Sequence, residues 1–272
     1  MVGVKNADRW LNVETALATA QKLQRDRNYR DRTGLYFMEG VRNFVQAMDR
    51  GCKMATILFS EKLCTAPVAR KLFRRARRNG IPSVNLTPEQ FRQVSHADRA
   101  SGIAAIVYQH WSQLHDISPE DGLCWTVLET VRSPGNFGTL IRTSEAVGGA
   151  GFILIGKGID PFDANVMRAT MGGFLGQKFV RTNYRNLARW MRQPGCEAIG
   201  ASPDGAIDLH RFRYPSSTLI FLGEERLGLN SQQRELCKHL VRIPMQGEAD
   251  SLNLAVAGSL LMYEVLRSRC LE

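Results

Sequence analysis

No apolar run in this 272-residue sequence approaches the roughly 18 residues that a membrane-crossing helix needs. The opening stretch, MVGVKNADRWLNVET, lacks the apolar core of a secretory signal. Both absences make a cytoplasmic setting the expectation, with no membrane partner. Cysteine is sparse: six residues, at 52, 64, 124, 196, 237 and 270, none in a Cys-x-x-Cys pair or a zinc-ligand pattern. No metal centre is therefore expected, and the cysteines read as small apolar fillers. The familiar nucleotide and hydrolase fingerprints are also missing. There is no G-x-G-x-x-G after a strand, no Walker lysine loop, no G-x-S-x-G elbow and no H-E-x-x-H. The glycine cluster 148–151 falls between a helix and a strand, where it serves to stop the helix.

What is present is ordinary globular composition, 44% hydrophobic and 23% charged, with a net charge of +10. The charge is lopsided. Residues 1–110 carry 19 Lys and Arg against 9 Asp and Glu, whereas residues 111–272 carry 17 against 17. An excess confined to one segment points to a polyanion-binding surface there, the bland alternative being a solvated basic helix. Its densest part is the stretch from Arg70 to Arg78, which includes Arg74, Arg75 and Arg77. Leu72, Ala76 and Phe73 are the positions expected to face the core. Arg30, Arg32 and Arg99 are lesser candidates for the same surface.

The pattern along the chain divides it. Residues 1–32 read as an N-terminal helical extension, with one helix over 9–32. Strands are expected over 35–38, 55–60, 81–86 and 102–108. Between them lie a helix ending near Gly51, a helix over 67–78 opened by Pro67, and one capped by Thr87 and Gln90. Residues 33–110 thus form a small α/β domain. A polar stretch, 111–123, reads as a linker. Residues 124–272 form a second α/β segment, with strands over 124–129, 152–155, 198–201, 218–222 and 240–243. Its helices are expected over 138–147, 164–171, 186–191, 231–238 and 254–269.

Three segments of this second part stand beside apolar strands. In SPGNFGTLIRTSEAVG, glycines allow a tight turn before a helix that presents Arg142. Ligands gather at such strand ends in open α/β sheets, and an arginine there can fork onto a phosphate. In TLIFLGEERLGLN, Gly223 would let a ligand approach the backbone. In VRIPMQGEADSLNLAVAG, Pro244 ends a strand and Ser251 is placed to cap the following helix.

Each segment alone has an ordinary reading as turn, strand end or helix cap. Together, N-x-G-x-x-x-R (Asn136, Gly138, Arg142), G-x-E-x-x-G-L (Gly223, Glu225, Gly228, Leu229) and I-P-M…S-L-N (Ile243 to Asn253) occur in an order that resembles the SpoU or TrmH-type RNA ribose methyltransferases of the SPOUT superfamily. Residues 33–110, beginning LYFMEG, are similar to the small substrate-binding domain that precedes the catalytic domain in many members. The resemblance implies a C-terminal trefoil-knotted α/β domain, S-adenosylmethionine as cofactor, a homodimer, and transfer of a methyl group to a ribose 2′-oxygen of RNA. Gly223, Ile243 and Leu252, with Leu222 and Met245 behind them, would hold the cofactor. Arg142 would hold a phosphate and stabilise charge on the 2′-oxygen. Asn136, Ser251 and Asn253 would orient the ribose or Arg142, and Glu225 would fix the loop or Arg142. Arg70, Arg74, Arg75, Arg77 and Arg78 would meet RNA phosphates. Ribosomal RNA is the expected substrate. A transfer-RNA enzyme, an enzyme conferring antibiotic resistance by ribosome modification, and a non-catalytic RNA-binding module are the alternatives.

Overall fold

The computed structural model describes residues 12–270, which form two compact units: 12–109 with 162–167, and 110–161 with 168–270.

The first unit begins with two helices where one was expected, α1 (Val13–Arg25) and α2 (Arg27–Thr33). The break is at Asp26, which is extended and accepts from the Tyr29 amide at 3.0 Å, capping α2. Arg30 turns back under the break. Its guanidinium donates to the Leu23 carbonyl at 2.6 Å and pairs with Asp163 at 3.1 Å. Only 2% of Arg30 is exposed, so it is an internal capping charge and not part of an RNA-facing surface. Helix α1 is no detached extension, because Ala16, Leu17, Ala20 and Leu23 share one core with Leu35, Phe37 and Ile106. Residues 9–11 of the expected helix lie outside the described residues.

The chain continues through β1 (Leu35–Glu39), α3 (Val41–Asp49), β2 (Met54–Phe59), α4 (Pro67–Arg78), β3 (Ser83–Asn85), α5 (Pro88–Arg92) and β4 (Ile103–Tyr108). The four strands stand in the order β1-β4-β2-β3, with only the β2–β3 pair parallel. Helix α4 starts at Pro67 and stops before Gly80, whose φ is 76°. Leu72, Phe73 and Ala76 are buried, and the Phe73 ring stacks on Phe59 at 3.9 Å. Thr87 and Gln90 form the expected capping box.

The second unit contains β5 (Cys124–Leu128), α6 (Pro134–Ala146) and β6 (Gly151–Ile155). Helix α7 (Ala164–Ala169), which starts within the first unit's 162–167 segment, precedes β7 (Lys178–Thr182) and α8 (Tyr184–Trp190). Then come β8 (Cys196–Ala201), β9 (Ile207–Asp208), β10 (Ser217–Phe221), α9 (Ser231–Leu236), β11 (His239–Arg242) and α10 (Leu254–Cys270). Seven strands form one parallel sheet in the order β7-β6-β5-β10-β8-β11-β9. The central strands are apolar and wholly buried, as a two-sided parallel sheet requires. Strands β7 and β9, unforeseen from the pattern, are the two edges. Edge position explains the polar residues in KFVRT, which mask a strand signal. The stretch 111–123 is not a free linker: Ser112 bridges to Val180, and Trp125 and Trp190 donate to the carbonyls of Ser118 and Ile117. No helix among the described residues is long and apolar enough to cross a membrane.

Candidate active site

Strand order decides where the site lies. From β5 the chain moves outward to β6 and β7, then crosses to begin the other half at β8, with β10 returning beside β5. The crevice beyond the carboxyl ends of β5 and β10 is therefore the switch point at which open α/β sheets place ligands. The first motif follows β5, the second follows β10, and the third follows β11.

The first motif is helical earlier than its glycines suggest. Ser133 caps α6 by accepting from the Asn136 amide at 3.4 Å, and Pro134 opens the helix. Asn136 and Gly138 thus sit in the first turns and not in a preceding turn. Phe137, Leu140, Ile141 and Ser144 are buried, so Arg142 is left on the outer face. Its guanidinium is exposed and has no hydrogen-bond or ion-pair partner among the described residues.

The second motif folds into a tight loop. Glu224 and Gly228 exchange backbone bonds of 3.1 and 2.9 Å, and Gly228 takes φ 67°. A Cβ on Gly223 would lie 2.1 Å from the Gly228 carbonyl carbon. Loop closure itself therefore demands that glycine, before any ligand approaches. Arg132 Nε pairs with Glu224 at 2.5 Å, while Glu225 Oε1 accepts from the Arg132 amide at 3.3 Å and from Asn136 Nδ2 at 3.4 Å. Glu225 fixes Asn136, not Arg142.

The third motif completes the chain of contacts. Asn253 Nδ2 donates to Asn136 Oδ1 at 3.0 Å, and Asn253 Oδ1 accepts from the amides of Ala255 and Val256. Asn253 caps α10, the part expected of Ser251; Ser251 sits exposed on the wall of the adjacent pocket. Glu225, Asn136 and Asn253, one from each motif, are thereby hydrogen-bonded in series.

Beside this series lies a cavity of about 560 Å³. All five residues expected to hold a cofactor line it: Leu222, Gly223, Ile243, Met245 and Leu252. Glu225 and Ser251 also reach it, whereas Arg142, Asn136 and Asn253 do not. The far wall was not foreseen. It is built by residues 201–204 at the end of β8 and by Arg234, which donates to Ser202 Oγ at 3.2 Å, Asp204 at 3.3 Å and the Leu229 carbonyl at 3.2 Å. No short motif marks that wall, since its membership follows from β8 lying next to β10 in the sheet. Arg132 and Glu224 were likewise missed, although both flank motif residues. Among the described residues no group of three or more His, Cys, Asp and Glu could hold a metal ion.

On the first unit, Lys71, Arg74, Arg77 and Arg78 line an open depression along α4, and Arg75 is exposed beside them. Arg70 is different. It donates to the carbonyls of Cys64 at 2.5 Å and Glu61 at 2.9 Å, tying the loop before α4. Arg32 and Arg99 are exposed.

The SpoU rRNA Methylase family matches residues 124–263, slightly over half of the chain. The chain belongs to that family. An MRM3-like substrate binding domain matches residues 18–105, which include most of α1. An AdoMet-bound rRNA methyltransferase from Sinorhizobium meliloti superposes with a TM-score of 0.84 at 30% identity, over 93% of this chain and 94% of that one. The SpoU methyltransferase AviRb from Streptomyces viridochromogenes, solved in complex with the cofactor AdoMet, gives 0.82 at 29% identity, over 94% and 99%. A 23S rRNA (uridine(2479)-2′-O)-methyltransferase of the same organism is 29% identical over 256 residues, covering 92% of this chain and 88% of that protein.

Proposed function

We propose that this SpoU-family protein transfers a methyl group from S-adenosylmethionine to a ribose 2′-hydroxyl of ribosomal RNA. The observation that carries this reading is that the second and third motif loops line one cavity at the sheet's switch point, with the first motif hydrogen-bonded to both through Asn136. The cavity suits the cofactor chemically: Leu222, Ile243, Leu252 and Leu254 offer apolar walls for an adenine, and the tight 223–229 loop presents backbone groups. The bound cofactor supplies an electrophilic methyl on a sulfonium.

The protein's own residues align and stabilise. Asn136, held on one side by Glu225 and on the other by Asn253, fixes the start of α6 relative to the cavity loops. Such fixation matters because displacement at a methyl carbon needs nucleophile, carbon and leaving sulfur in line. Arg142, exposed and unpartnered, is free to take an RNA phosphate and to stabilise negative charge growing on the 2′-oxygen. A guanidinium keeps its protons, so it acts as a donor and not as a base. Arg74, Arg75, Arg77 and Arg78 on α4 neutralise phosphates and orient the RNA, without reading its sequence.

A homodimer is part of the proposal. The small residues of α10 do not serve it, because Gly258 packs on Leu140 and Leu222 and Ser259 bonds to Thr143 at 2.8 Å, all within one chain. The exposed stripe Val256, Leu260 and Tyr263 on the same helix supports it instead. The knotted C-terminal threading implied by the family resemblance belongs to the same proposal. Its support is the course of the chain, which runs from β11 through 243–253 into α10, the helix packed on α6.

The deciding experiment is transfer of a labelled methyl group from S-adenosylmethionine to unmodified large-subunit ribosomal RNA, followed by mapping of the modified nucleotide. Labelled ribose 2′-oxygen is the expected result. Transfer to transfer RNA alone would replace the substrate, and no transfer to any RNA would overturn the proposal.

A further inference from the structure

Among the described residues, Met171 is the one non-glycine residue with positive φ, at 50°. It is also 58% exposed, an unusual combination for a large apolar side chain. Left-handed backbone is disfavoured for residues with a Cβ and persists where surrounding structure enforces it, often at functional sites. Here the enforcement is visible. The Met171 amide donates to the Arg168 carbonyl and the Gly173 amide to the Thr170 carbonyl, making a tight turn after α7. That turn is pressed onto α6: a Cβ on Gly173 would lie 3.3 Å from the Cα of Arg142 and 3.4 Å from the Cβ of Glu145. Thr170, Gly172 and Gly173 are buried, so Met171 is the apolar side chain of the turn that projects outward, with Arg168 exposed three residues before it. The strained turn therefore displays a flexible apolar side chain two residues from the contact with Arg142.

We infer that Met171 is a substrate-contacting residue, packing against the base or sugar of the RNA nucleotide whose phosphate Arg142 takes. The inference rests on the proposed placing of Arg142 at the transfer centre. The chemistry favours RNA as the occupant. An unpartnered guanidinium and an exposed methionine on two segments in contact match a nucleotide, which offers an anion and a flat apolar face. The thioether is polarisable and adapts to aromatic rings.

The strain makes the test sharp. Met171→Gly and Met171→Asn both accept left-handed backbone, so neither should lower the melting temperature. Both should raise the KM for an in-vitro transcript of large-subunit ribosomal RNA by about five- to tenfold, the loss expected when one apolar side chain goes unburied. Affinity for S-adenosylhomocysteine, measured by calorimetry, should stay within about twofold. Met171→Leu should recover most of the RNA affinity. Variants that fold and keep wild-type KM for the transcript overturn the inference. So does a weakened subunit association in light scattering with RNA affinity intact, since a second copy would then be the occupant. If the wild-type protein methylates no RNA, the functional reading itself fails and this inference falls with it.

Discussion

Asn253 and Asn136, 117 positions apart in sequence, meet amide to amide at 3.0 Å. The bond joins the cap of the last helix to the first turn of α6, and Glu225 extends it to the loop after β10. Replacing Asn253 separates its two tasks. Asn253→Asp keeps the cap acceptor but loses the amide donor, so stability should hold while methyl transfer falls. Asn253→Ala should lose both, with about 1 kcal/mol of stability gone with the cap. Urea unfolding and single-turnover rates on the same preparations check this; equal stability loss in the two variants would refute it.

Arg142→Ala should reduce single-turnover methylation at saturating RNA and cofactor by roughly 10²–10³, the scale of a lost transition-state donor. Folding and S-adenosylhomocysteine binding should be unchanged. Arg142→Lys should restore little, because an ammonium cannot copy the planar fork. A rate near wild type at saturating RNA would reassign Arg142 to docking.

Changing Arg74, Arg75, Arg77 and Arg78 to alanine should weaken RNA binding and flatten its salt dependence, by roughly 0.7–0.9 in log–log slope per lost phosphate contact. Arg70→Ala should behave differently, lowering the melting temperature by freeing the carbonyls of Cys64 and Glu61. Filter binding across a salt series and thermal melts distinguish the two classes.

Light scattering should show a particle of about twice the 30.5 kDa chain mass. Leu260→Glu combined with Tyr263→Glu should yield monomers with reduced activity, since both residues are exposed on α10. An active monomeric wild type would remove the dimer from the proposal.

The thiols of Cys124, Cys196 and Cys237 should be unreactive while the protein is folded. Burial pushes Cys124 and Cys237 up to about 12 and Cys196 up to about 11, so at pH 8 their thiolate fractions are minute. Iodoacetamide at pH 8, followed by mass spectrometry, should label these three slowly in buffer and fast in denaturant. Rapid native labelling of Cys124 would contradict the packing.

The sequence by itself determined the class of fold, the three motifs and the basic helix, because these rest on local chemistry. Apolar strands, proline at the start of α4 and the Thr87–Gln90 capping box are written in neighbouring residues. Lopsided charge is likewise visible without coordinates. What only the tertiary structure decided were relationships between distant residues. Asp26 breaks the first helix because Arg30 is buried beneath it, and nothing in the helical periodicity announces a buried arginine. Gly223 is required by Gly228 folding over it, and the small residues of α10 are used on α6. Ser251 and Asn253 are equally plausible caps by residue type, and the hydrogen bonds choose Asn253. The wall at 201–204 joins the cavity because β8 pairs with β10, and strand order in a parallel sheet is set by crossover packing, which short motifs do not encode.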